Sequence, residues 1–191
     1  MYDAFLQDSG KIQMRDLKLK LLNGHEISAP KAYYYLTCHR EENTGDDRSR
    51  TEILEAMNSL EAPTVYPMHP RNKSRALRLQ NEHLYRNILL VEPVGYIESI
   101  CLVNHAKKFV SDSGGLQREA FFAGKKCVTI LNFVCWPETM VCSRNELASP
   151  DRNDILEKLS HSQSVDSDYK PFGDGRSAEL IVDAISKNRF L

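Results

Sequence analysis

The run Val110-Ser111-Asp112-Ser113-Gly114-Gly115-Leu116-Gln117-Arg118-Glu119-Ala120 sets Ser-Gly-Gly between a short β-type stretch and a segment of helical period. That arrangement suits anion binding. Two glycines let the backbone approach a ligand closely, the first N–H groups of the helix have no partner within it, and the helix dipole adds partial positive charge. A phosphate would then be held without any basic side chain, and the Ser113 hydroxyl is a further donor. Glu119 lies about one turn beyond Gly115, where its carboxylate can accept bonds from ribose hydroxyls beside the phosphates. A plain β–α turn with a solvated glutamate fits the same residues, because a short glycine-rich loop is a weak motif.

Three further segments follow apolar runs. In Leu36-Thr37-Cys38-His39-Arg40-Glu41-Glu42-Asn43, His39 supplies a titratable imidazole and Arg40 a planar guanidinium, both suited to a diphosphate. In Tyr66-Pro67-Met68-His69-Pro70-Arg71-Asn72, His69 stands between two prolines that fix the backbone, and taken locally it reads better as a turn histidine capping the next helix than as a site residue. Cys135-Trp136-Pro137-Glu138-Thr139 offers an aromatic face to a base or sugar, or a plug at the domain edge. Other chemistries fit poorly: there is no Gly-x-Ser-x-Gly elbow or Walker loop, no metal-ligand spacing among His and Cys, and no Gly-x-Gly-x-x-Gly after the first strand. No metal is expected.

These residues need a scaffold that gathers strand ends. Tyr33–Thr37, Thr64–Pro67, Ile88–Glu92, Lys108–Ser111 and Cys127–Leu131 are continuously apolar or β-branched, as strands of a parallel sheet covered on both faces are. Between them, Arg48–Leu60, Asn72–His83, Tyr96–His105 and Gly115–Ala123 have helical period. The alternation predicts an α/β fold with a Rossmann-like, doubly wound parallel sheet and right-handed crossovers. Ligands of such sheets bind beyond the carboxyl ends of the strands. Residues 1–30 read as a lead-in, with Met1–Leu6 and Met14–Leu22 as helical candidates, and residues 31–191 as the nucleotide-binding domain. Asp151–His161 and Ser177–Lys187 are the last two expected helices.

Composition bounds the rest. A chain of 191 residues supports one core, and 25 basic against 26 acidic residues leave a net charge of −1, so no global field favours nucleic acid or an anionic membrane. Five cysteines without a C-x-x-C pair point to reduced thiols. No apolar run approaches the ~20 residues of a membrane span and no signal peptide is evident, so a soluble, cytoplasmic chain is expected.

In order, Thr37–Asn43, Tyr66–Pro70, Glu92–Tyr96, Ser111–Ala120, Trp136–Thr139 and Pro171–Gly175 resemble the carboxyl half of the non-hydrolysing UDP-N-acetylglucosamine 2-epimerases. The resemblance runs from Met1-Tyr2-Asp3-Ala4 almost to the last residue. It implies the carboxyl-terminal half of a two-domain GT-B architecture, a UDP-sugar substrate in the interdomain cleft, an amino-terminal domain lying elsewhere, and a homodimer of the complete protein. The implied reaction expels UDP by elimination across C1 and C2, giving 2-acetamidoglucal, and adds UDP back with inverted C2. No cofactor is implied. Ser113, Gly114 and Gly115 would hold the diphosphate, Glu119 the ribose, and His39, as the catalytic residue, the diphosphate as it leaves. Arg40 and His69 resemble positions that contact a second, activating sugar nucleotide in bacterial members. Trp136 replaces an arginine found in many members, and Ser99 replaces a large apolar residue. The Trp-Pro-Glu form is similar to relatives acting on other UDP-linked acetamido sugars, including 2,3-diacetamido uronic acids. A GT-B glycosyltransferase donor domain and a non-catalytic sugar-nucleotide-binding module are the competing readings.

Overall fold

In a computed structural model describing residues 1–68, 77–78, 85–164, 166 and 168–187, the chain begins with helix α1 (Tyr2–Asp8), close to where an apolar start predicts one. The second expected helix, Met14–Leu22, is not formed. Met14–Asp16 makes a single three-ten turn, and Lys18–Lys20 (β1) pairs antiparallel with Glu26–Ser28 (β2) across the Asn23-Gly24 turn. The period explains the difference. Leu17 and Leu19 are buried while Lys18 and Lys20 face solvent, an alternation of two that fits a strand and not a helix. Gly24 closes the hairpin at φ +88°, in the left-handed region that glycine enters freely.

The continuous apolar runs form the sheet. Its strands are β3 (Tyr34–Thr37), β4 (Thr64–Pro67), β5 (Ile88–Val91), β6 (Lys108–Ser111), β7 (Lys126–Thr129) and β8 (Asn145–Leu147), in the order β5-β4-β3-β6-β7-β8. All five pairings are parallel. The chain winds outward from β3 in one direction, then returns to β6 and winds in the other. The winding reverses between β3 and β6, the position where doubly wound folds open a crevice for nucleotides. This bears out the expected Rossmann-like sheet. β8 was not among the expected strands.

Six more described helices follow α1: α2 (Glu41–Thr44), α3 (Asp47–Asn58), α4 (Tyr96–His105), α5 (Gly114–Phe122), α6 (Arg152–Ser160) and α7 (Ser177–Ser186). Asp46 caps α3 through Ser49 N, and Asp151 caps α6 through the N–H groups of Asn153 and Asp154. The site candidate His69 and, apart from Leu77 and Arg78, which are helical, the expected helix Asn72–His83 lie outside the described residues. Successive strand residues feed opposite layers: Leu36 and Val110 pack with Ile53, Met57 and Ile155, while Tyr35 and Phe109 pack with Ile100 and Leu102. Burial on both faces is why these strands lack polar alternation. Among the described residues no helix is long and apolar enough to cross a membrane.

Candidate functional site

The crevice between β3 and β6 is closed by one carboxylate. Asp112 follows β6 and is 1% exposed, and its carboxylate accepts from His39 N at 2.9 Å, Arg40 N at 2.8 Å and Asn43 Nδ2 at 3.3 Å. The guanidinium of Arg40 returns the contact, donating from Nε to the Asp112 carbonyl at 3.0 Å. Thr37 and Ser111 add a hydroxyl pair at 2.7 Å between the strand ends. Asn43 also donates to the Ile130 carbonyl, reaching the end of β7. Asp112 thus fixes the direction in which the chain leaves β3, and with it the placing of His39 and Arg40. Replacing Asp112 by alanine strands two backbone N–H groups and an amide, so a loss of roughly 2–4 kcal/mol of stability is expected, measurable by denaturant unfolding.

On the β6 side the turn forms an open anion cradle. Ser113 N donates to Ser111 Oγ at 2.9 Å, and Ser113 Oγ caps α5 by accepting from Leu116 N at 3.4 Å. Its hydroxyl proton is left to donate outward. The N–H groups of Gly114 and Gly115 have no acceptor among the described residues. Gly114 is required by its surroundings, since a Cβ there would meet Cys135 Sγ at 2.9 Å and Trp136 Nε1 at 3.1 Å.

Glu119 lies one turn into α5. It is 8% exposed, and its carboxylate accepts no hydrogen bond from the described residues. Burial pushes its pKa up to about 7, against the opposing pull of Arg118. Its charge is felt by the phenols of Tyr35 and Tyr96. A cavity of ≈ 220 Å³ opens beside Tyr35, walled also by Thr37, His39, Met68, Pro93 and Ser99. A second cavity of ≈ 380 Å³ lies beyond β7 and β8, walled by Glu42, Asn43, Phe133 and Ser149 among others. The structure therefore brings His39, Arg40, Ser113, Gly114, Gly115 and Glu119 to one rim, the carboxyl edge at the reversal point.

Two site features escaped the sequence reading. One is the part of Asp112 as the clasp between strand ends. The other is the anchoring of the Trp136 turn to α5: Gln117 Nε2 donates to Thr139 Oγ1 at 2.9 Å, and Thr139 Oγ1 donates to the Trp136 carbonyl at 2.8 Å. The available signal was Gln117 itself, a polar residue on the inward side of a helix, here 0% exposed.

The sequence profile described as UDP-N-acetylglucosamine 2-epimerase matches residues 1–186. The chain belongs to that family. It is 35% identical over 189 residues to a UDP-N-acetylglucosamine 2-epimerase homolog of Methanococcus maripaludis, covering 97% of this chain and 52% of the relative. It is 34% identical over 166 residues to the UDP-2,3-diacetamido-2,3-dideoxy-D-glucuronate 2-epimerase of Pseudomonas aeruginosa, covering 84% and 46%. Among solved structures, the Methanocaldococcus jannaschii UDP-GlcNAc 2-epimerase in complex with UDP-GlcNAc and UDP superposes with TM-score 0.78 at 25% identity, over 97% of this chain and 52% of that one. As an epimerase-family chain it spans about half the length of these relatives. Its fold is that of the carboxyl-terminal, Rossmann-like half of the GT-B architecture.

Proposed function

We propose that the chain is the UDP-binding domain of a UDP-N-acetylglucosamine 2-epimerase, an enzyme interconverting UDP-GlcNAc and UDP-ManNAc by expelling and re-adding UDP. The observation that carries this reading is the pairing, on one helix, of open N–H groups at Gly114 and Gly115 with a buried carboxylate at Glu119 that has no donor among the described residues. An anion followed by a hydroxyl-bearing ring satisfies both, which is the order of diphosphate and ribose in UDP. Ser113, Gly114 and Gly115 hold the diphosphate and Glu119 the ribose. His39 stands at the cavity wall as the group that meets charge developing on the leaving diphosphate. Arg40 and His69 are assigned to a second sugar nucleotide.

Residues 31–191 are the nucleotide-binding domain, and residues 1–30 lead in from an amino-terminal domain that completes the active site. Leu180, Ile181, Val182 and Ile185 of α7, each more than half exposed, offer that domain an apolar surface. The complete enzyme is a cytoplasmic homodimer. A second reading, a 2-epimerase for another UDP-linked acetamido sugar, is favoured by the 34% identity to the diacetamido-glucuronate enzyme. Competition of UDP-GlcNAc, UDP-ManNAc and diacetamido sugar nucleotides for bound UDP ranks the substrates.

Calorimetry with Glu119→Gln tests the site. The variant is expected to weaken UDP by roughly 1–3 kcal/mol and to leave inorganic pyrophosphate unchanged, since a ribose contact is lost and the phosphate cradle stays. Equal weakening of both ligands removes Glu119 from the ribose. The pH dependence follows from the same residue. An acid whose folded pKa is raised from 4.5 to about 7 costs the fold nothing below pH 4.5, increasingly more up to pH 7, and a constant amount above. Glu119→Gln is therefore expected to melt higher than the wild type at pH 8 and with it at pH 4.5. Because ribose hydroxyls donate to the carboxylate, UDP affinity should rise from pH 6 to 8 more steeply in the wild type than in the variant.

A further inference from the structure

Trp136 brings a third N–H donor to the rim of the cradle. Its Nε1 stands 3.1 Å from the point where a Gly114 Cβ would lie, beside the unpaired N–H groups of Gly114 and Gly115. An indole N–H donates only, and this one finds no acceptor among the described residues. The ring is held on several sides. The Arg118 guanidinium carbon stacks 4.0 Å from the ring centroid, and Phe172 meets it edge-on at 6.4 Å. The backbone of the turn is fixed to α5 by the Gln117 and Thr139 bonds, and Asn145 Nδ2 donates to Thr139 Oγ1 at 3.3 Å. Arg118 forms no ion pair at contact distance with the described residues and its Nε is buried without a hydrogen-bond partner among them, while its charge acts on the Glu119 carboxylate next to it. Glu119, one turn further along α5, is 8% exposed and has no donor among the described residues, an independent sign of a ligand here.

We propose that the indole N–H of Trp136 donates to a phosphate oxygen of the bound nucleotide, with Arg118 stacked behind the ring as its positioning residue. The proposal rests on the nucleotide reading of the cradle. Three neighbouring N–H donors without an acceptor among the described residues call for an anion, and a stacked guanidinium behind one of them raises the local potential. Base stacking is the weaker use of this ring, because Arg118 already occupies a face.

Trp136 is the single tryptophan of the chain, so ¹⁵N labelling gives one indole resonance and no assignment is needed. Saturating UDP and saturating inorganic pyrophosphate are each expected to shift that resonance downfield and to slow its exchange with water. Trp136→Phe keeps a ring under Arg118 and removes the donor, and its UDP dissociation constant should rise about tenfold with an unchanged circular dichroism spectrum. An indole resonance unmoved by saturating UDP overturns the proposal, as does one that responds to UDP and not to saturating pyrophosphate. Wild-type affinity in a folded Trp136→Phe overturns it too, and should that variant not fold, the resonance decides. A wild type that binds no UDP in calorimetry overturns the nucleotide reading and the proposal together.

Discussion

Gly114→Val is expected to remove measurable UDP binding while leaving a cooperatively folded domain. The added Cβ would meet Cys135 Sγ at 2.9 Å and Trp136 Nε1 at 3.1 Å, so the Cys135-Trp136 turn must back away from α5. That turn is anchored through Thr139 to Gln117 and Asn145, and its movement loosens the side of the cradle nearest the ligand. The methyls also fill space a phosphate oxygen would take beside the free N–H groups. Hydrogen bonds to a charged group contribute about 1.5–3 kcal/mol each, and every 1.4 kcal/mol is tenfold in affinity, so losing two costs on the order of a hundredfold or more. The fold should survive because the helix keeps its cap at Ser113 and its buried side chains Leu116, Ala120 and Phe121. Gly115→Ala is the matched control. Its Cβ meets only Ser113 Oγ at 3.5 Å and Met1 Cε at 3.8 Å, ordinary contacts, so its loss of affinity should be far smaller. A Gly114→Val protein binding UDP as the wild type does would place the diphosphate elsewhere.

What the sequence disclosed and what it hid divide along the range of the interactions. Strands β3 to β7 were legible because burial on both faces writes itself as an unbroken apolar run. The edge strand β8 was not, since Asn145 and Glu146 are polar. Their burial is paid for by partners far away in sequence: Thr129 donates to Asn145 at 2.6 Å, and buried Lys126 pairs with Glu146. The Leu17 to Leu21 stretch was misread because leucine and lysine are good helix formers, and tertiary burial of alternate leucines overrode that propensity. The Ser-Gly-Gly cradle was legible because its chemistry is local, resting on glycine freedom and free helix N–H groups. The Asp112 clasp joins residues some 73 positions apart, and the approach of Trp136 to Gly114 depends on a turn leaving another strand. No local pattern carries either.

Incubated alone with UDP-N-acetylglucosamine in deuterium oxide, this chain is expected to place no deuterium at C2. Elimination needs a base for a carbon-bound proton and an acid–base group for the other face of C2, and each such group contributes typically ~10²–10⁴-fold. The described site offers few candidates. The Asp112 carboxylate is already engaged by His39 N, Arg40 N and Asn43 Nδ2, so it cannot turn toward a substrate without releasing the strand-end clasp. Glu119 has a pKa, about 7, that would suit a general base, but it lies a turn beyond the cradle, where its charge reaches Tyr35, and in the proposed reading it faces the ribose. In that reading a proton on sugar C2 would lie across the diphosphate from it, so position would overrule pKa. His39 is left, and one imidazole at the phosphate end assists departure of UDP without supplying both C2 groups. The two C2 groups are expected from the proposed amino-terminal domain, and closing two domains on the ligand is also what would exclude water from a glucal intermediate. Adding that domain in trans should restore exchange if the two halves associate. Mass spectrometry of recovered sugar nucleotide detects a single reversible elimination, so the measurement does not depend on net epimerisation. Deuterium at C2 from this chain alone, at a rate comparable to a full-length relative, would mean that the base and acid lie within these 191 residues.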